Sequence, residues 1–218
     1  VPVYNNTGSD ATLVGWIERG HLGVTALLTL ASGLLFYAFG THDFSFVYVA
    51  DYSDRLMPMF YVLTAFWAGQ PGSLLFWAWM TALFGAVFLL TGGYKSLSSG
   101  EKLYYWGFFC TVMAFFLLLL TGWSNPFVRV SPVPPDGSGL NPLLQNPAMI
   151  FHPPLLFLGY AGFTVPACLA LGRALYGEGS SWITATRNTF LVSWAFLTSG
   201  ILLGGWWSYM ELGWGGYW

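Results

Sequence analysis

The chain has 218 residues, 56% of them hydrophobic, 20% aromatic and 7% charged. Soluble domains carry roughly 25% charged residues, so seven basic and nine acidic side chains cannot keep this chain in water, and its composition assigns it to lipid. A net charge of −2 is too small to argue for nucleic acid or any other polyanion as partner.

Five stretches reach the ~20 apolar residues that cross ~30 Å of hydrocarbon. They run at about 22–40, 73–91, 103–123, 150–171 and 189–210, and none contains Asp, Glu, Lys or Arg. Backbone groups in lipid find no outside partner, and no closed barrel fits these lengths, so each stretch is predicted to be a helix. The expected fold class is therefore all-α: a polytopic membrane protein with about five transmembrane helices and ordered outer loops, forming one unit over 1–218. With no initiator Met and an aromatic run that stops at Trp218, the chain reads as a fragment of a longer protein.

If the spans alternate, Arg19, Lys95, Lys102, Arg173 and Arg187 share one side, and Arg55 and Arg129 the other. The positive-inside rule puts the larger group in the cytoplasm. Segments 41–72, 124–149 and 211–218 then face outward, into the periplasm if the membrane is a bacterial inner membrane.

Ahead of the first span, His21 is expected to be an interfacial polar residue. His42 falls in an outer turn beside Asp43, on the face where a second metal ligand would sit. Residues 54–67 form an apolar stretch too short to span, expected in the outer interface with Trp67 as an anchor. Cys110 and Cys168 lie inside apolar stretches with no CxxC pairing and read as membrane-buried thiols. No CxxCH is present, so the chain does not itself carry a covalent c-type haem.

Eight of the twelve prolines lie between Pro126 and Pro154. Fixed φ angles and turn residues, rather than a core, are expected to order this outer loop. At its end stands His152, in Ile150-Phe151-His152-Pro153-Pro154. A residue before proline is pushed out of the α region, while proline suits a first helical turn, which places His152 at or just before a helix start. An imidazole there can donate a lone pair to a metal.

Residues 206–218 hold four tryptophans, two tyrosines and three glycines. Two readings stay open. A belt of rings at the membrane surface accounts for Trp206 and Trp207. Glycines between rings also let a bent backbone present several flat faces to one flat object, for which a porphyrin is the leading candidate. On that reading the surface comprises Trp206, Trp207, Trp214, Gly215, Gly216, Tyr217 and Trp218, with His152 supplying the metal ligand. Glu211, the one charge nearby, either pairs with an Arg or caps a helix. No G-x-S-x-G, HExxH, phosphate loop or carboxylate pair points to other catalysis. Charge-free spans argue against an ion-coupled transporter.

At these residues the chain resembles the cytochrome c assembly family, membrane proteins that handle haem at a Trp-rich outer "WWD" segment, and within it the CcmF/NrfE type of haem lyase. The likeness is carried by Asp43 to Ala50, Trp67 to Trp77, the block from Asn141 through His152 to Tyr160, and Gly204 to Trp218. It implies a haem-handling domain whose WWD segment cradles b-type haem, as ligand and substrate, with His152 as an axial ligand. It also implies haem arriving from a CcmE-like chaperone, thioether attachment to the two thiols of a CxxCH apocytochrome c, and CcmH-like subunits that keep those thiols reduced. Ligation of this kind asks the protein for positioning rather than acid–base machinery.

The resemblance also implies what is missing. The family's Trp-Asp-Pro continuation and later ligand histidines would follow Trp218, a further span would precede this segment, and Gln70-Pro71 departs from the family's usual pattern. The segment alone is thus expected to be inactive. The alternatives are a haem exporter of the same superfamily, which would fail a ligation assay on a CxxCH peptide, and a structural subunit of a respiratory complex, which would purify without haem.

Overall fold

A computed structural model describes residues 7–177 and 181–214. Among them there is no strand, only one isolated antiparallel bridge between Phe46 and Arg129. Five long helices, α1 (Thr7–Gly40), α4 (Gln70–Leu90), α6 (Ser99–Gly122), α7 (Ala148–Tyr176) and α8 (Trp182–Leu212), are joined by three short ones: α2 (Val47–Tyr52), α3 (Met59–Thr64) and α5 (Gly92–Lys95). All five long helices are long and apolar enough to cross a membrane, and the chain is an all-helical multi-pass membrane protein.

Each long helix starts before its apolar stretch, because a helix need not begin where hydrocarbon does. The extreme case is α1, whose 34 residues measure about 50 Å at ~1.5 Å per residue. Its first turns, with Asp10, Glu18 and Arg19, therefore extend past a ~30 Å hydrocarbon layer.

Helices α1, α4 and α6 enclose an aromatic core in which Phe39, Phe88, Trp106 and Phe109 are fully buried. His21 belongs to this core, which corrects the interfacial expectation. It is 6% exposed; its Nε2–H donates to the Ala82 carbonyl at 3.0 Å, and its ring lies 4.9 Å from Trp106 and 5.3 Å from Phe109. A buried imidazole must be hydrogen-bonded, and its partner lies 61 residues away in the sequence.

Helix α7 joins this core to α8. The residues of α8 buried against it are Thr186, Ser193 and Gly200, all small and spaced by seven. Small residues at such spacing let two helix backbones approach closely. The outward face of α8 stays apolar, with Leu191, Val192, Trp194, Ile201 and Leu202 exposed, as contact with hydrocarbon requires.

At one end of the bundle the segments 41–69 and 123–147 bind each other. Val47 N–H donates to Val128 O at 2.9 Å, Val130 N–H to Ser45 O at 2.9 Å, and Ser138 N–H to Ala50 O at 2.7 Å. Phe44 and Leu140 are buried beneath them. Backbone pairing and a small apolar core therefore order the proline-rich loop, beyond its turn residues. In the 54–67 stretch, Val62, Ala65 and Phe66 are fully buried, while Met59, Phe60 and Leu63 face outward. The Trp67 ring packs on Phe66 and Phe76, at 6.3 and 5.7 Å. Tyr48 pins the following turn: its hydroxyl donates toward Phe66 O (3.1 Å) and accepts from Gly69 N–H (2.9 Å). Burial pushes that hydroxyl's pKa above its usual range.

Candidate functional site

The same end of the bundle holds the start of α7 and the end of α8. Pro147 is the N-cap of α7, and the Asn146 side chain accepts from Ala148 N–H at 2.8 Å. His152 therefore stands in the second turn of the helix rather than at or before its start. The preference against α before proline is a bias, not a bar. Its cost is local: Pro153 and Pro154 have no N–H to give the carbonyls of residues 149 and 150.

Four residues of α8 at spacings of four, three and four, Gly200, Gly204, Trp207 and Glu211, form one face toward this turn. His152 Nδ1 lies 2.8 Å from the Gly200 carbonyl. A carbonyl can only accept, so Nδ1 carries the proton and Nε2 of the neutral ring keeps its lone pair. Gly204 gives the ring its room: a Cβ there would stand 2.6 Å from Nδ1 and 3.0 Å from Nε2. One turn on, the Trp207 indole lies nearly parallel to the imidazole, 6.4 Å between centroids and 13° between planes. Its Nε1–H makes a long bond, 3.3 Å, to Leu143 O in the proline-rich loop. Glu211 accepts from the Asn146 amide. It thus braces Asn146, whose side chain accepts from the first N–H of α7, a role distinct from both an Arg pair and a cap on its own helix.

Trp207 also occupies the position seven residues after Gly200, extending the seam of Thr186, Ser193 and Gly200. Where three small residues hold the helices close, an indole at the fourth position lines the seam's end beside His152.

The remaining expected residues separate into two groups. Trp206, one position round the helix from Trp207, is 48% exposed and turns outward with Tyr209 and Met210. Helix α8 ends at Gly213, whose φ of +62° is the left-handed region that glycine favours. Trp214 follows, with its N–H donating to Ser208 O at 3.1 Å and its indole 69% exposed. Gly215, Gly216, Tyr217 and Trp218 lie outside the described residues. His42 sits in a left-handed turn, φ +52°, against Phe44 at 6.0 Å rather than in the His152–Trp207 pair. The spacing of 200, 204, 207 and 211 was a readable signal for the α8 face. Nothing local pointed to the Asn146 brace.

Fold and site together define a multi-pass helical membrane protein with an oriented imidazole beside an indole at one end of a helix pair. Residues 67–218 match the family described as Cytochrome C assembly protein, and the chain belongs to it. The cytochrome c-type biogenesis protein NrfE of Haemophilus influenzae is 43% identical over 196 residues, covering 89% of this chain and 30% of that protein. CcmF of the same organism is 40% identical over 220 residues, 100% of this chain and 34% of the relative. A solved structure titled cytochrome c heme lyase CcmF superposes with a TM-score of 0.76 at 27% identity, over 92% of this chain and 31% of that one. The chain spans about a third of the length of these relatives.

Proposed function

We propose that this segment forms the haem-receiving part of a cytochrome c haem lyase, with His152 as one axial ligand. The observation that supports it most is the Nδ1–H···O=C bond from His152 to Gly200, which fixes the tautomer and leaves Nε2 as the atom with a lone pair to donate. Metal-ligating histidines characteristically hold their other ring nitrogen this way. A lone imidazole is a poor site for a bare cation. A metal that arrives inside its own macrocycle needs only an axial donor.

We assign the indoles different tasks. Trp207, whose indole lies within 13° of the imidazole plane, would hold the imidazole in place. The exposed Trp206 and Trp214, with Gly215, Gly216, Tyr217 and Trp218, are the residues left to meet the porphyrin faces and edges.

On this reading the site lies on the periplasmic face of a bacterial inner membrane, the orientation favoured by the lysines and arginines at the other end. Haem comes from a chaperone, and partner subunits keep the apocytochrome thiols reduced. Each S–H adds across one vinyl C=C, sulfur to one carbon and hydrogen to the other, with no leaving group and no net oxidant. The protein's share is to hold haem and the CxxCH segment in register. In the intact haem-loaded protein, His152→Ala is expected to abolish or shift the haem absorption band. An unchanged spectrum would remove His152 from the ligand set.

A further inference from the structure

At the end of the bundle opposite His152, α1, α5 and α6 frame a cavity of about 380 Å³, within the range of small-molecule sites, about 300–1,000 Å³. Glu18, Arg19 and Leu22 line it from α1, Tyr94 and Lys95 from α5, and Lys102 from α6. Three cations thus face one carboxylate among the described lining residues, and that carboxylate is engaged: Glu18 accepts from the Tyr94 hydroxyl. Tyr94 is itself buried, 3% exposed, and accepts from Trp106 Nε1–H at 2.7 Å. Glu18 is therefore held against the wall, leaving a net positive opening. Lys102 Nζ is set 4.7 Å above the Tyr94 ring.

Two features fix the depth of this opening. Its apolar border, Leu22 and Leu89, coincides with the start of the charge-free run of α1. Trp16, six residues before Leu22 and 66% exposed, is an indole of the kind that anchors helices where a bilayer meets water. A soluble anion has no use for that border, whereas a lipid brings a phosphate and acyl chains together. Basic pockets between transmembrane helices recognise anionic headgroups in this way.

We propose that this cavity binds the phosphate headgroup of an anionic phospholipid, with Arg19, Lys95 and Lys102 around the phosphate and Leu22 and Leu89 along the upper acyl chains. This site is independent of the haem reading; only its assignment to the inner leaflet rests on the orientation proposed above.

The test uses the intact protein reconstituted in nanodiscs of equimolar phosphatidylglycerol and phosphatidylcholine, then extracted and its retained lipids counted by native mass spectrometry. Phosphatidylglycerol is expected in clear excess. Each of R19Q, K95Q and K102Q should lower its retention about fivefold, and the triple variant should abolish the excess. K95R/K102R keeps the charges and should keep the lipid. Equal retention of both lipids, a triple variant that binds like wild type, or loss in the arginine variant equal to that in the glutamine variants would overturn the proposal. Millimolar inorganic phosphate should leave the lipid in place. Full displacement by phosphate alone would make this a free-anion site and overturn the lipid assignment.

Discussion

Replacing Gly204 with alanine puts one methyl carbon into the space that the His152 ring occupies. That carbon would fall closest to the ring's Cε1 and stand 2.6 Å from Nδ1 and 3.0 Å from Nε2, against a comfortable separation of about 3.5–4.0 Å, so the ring must retreat by more than about 1 Å. The Nδ1–Gly200 bond, 2.8 Å in the native arrangement, then passes beyond hydrogen-bond length. Overpacking costs about 1–3 kcal/mol and the lost bond about 1 kcal/mol, while alanine returns about 1 kcal/mol of helix propensity. The net destabilisation is about 1–3 kcal/mol. Binding should suffer more than stability, since loss of the group that orients a metal-ligating histidine lowers affinity about 10–100-fold. Haem titration of the intact protein, followed by absorbance, reads this directly. Gly107→Ala is the control: nothing lies within 4 Å of a Cβ there, so it should leave haem affinity unchanged. If G204A bound haem within about twofold of wild type, the orienting role given to the Gly200 carbonyl would be refuted.

Tyr94→Phe removes both the acceptor for Trp106 Nε1–H and the donor to Glu18; leaving a buried N–H unpaired should cost about 1–3 kcal/mol, seen in a thermal melt. Burial and the Glu18 carboxylate raise the Tyr94 pKa above its usual value of 10.0. The unfolded chain therefore ionises first, so the protective share is complete below about pH 10 and declines as pH rises toward the folded value; Y94F should flatten that alkaline decline, and a parallel decline in both proteins would contradict it. Tags placed in 93–102 and 124–149 should report opposite sides of the membrane, and finding both in the cytoplasm would overturn the topology.

Lipid made the helices legible in the sequence, because it leaves a backbone no other solution. The positions of the Trp-rich end of α8 and of His152 at a common bundle end followed from counting spans. The small residues at 186, 193 and 200, and the face at 200, 204, 207 and 211, were equally present as spacings. Other features depend on partners far away in the sequence. His21 reads as interfacial until Ala82, 61 residues on, supplies its carbonyl. The pairing of 45–53 with 128–139 is likewise non-local. His152 was misplaced by one turn because proline's effect on its predecessor is a preference that tertiary contacts, here the Gly200 carbonyl and the Asn146 cap, can override.

The proposed bond between Nε2 of His152 and haem iron is open to direct measurement. Substituting glycine at 152 in the intact, haem-loaded protein and then adding free imidazole examines that bond with little else changed. The account predicts that the haem band shifts or disappears in the variant and returns with imidazole, which can enter the space the side chain has left. A band unaltered by the substitution, or one altered but indifferent to imidazole, would contradict it.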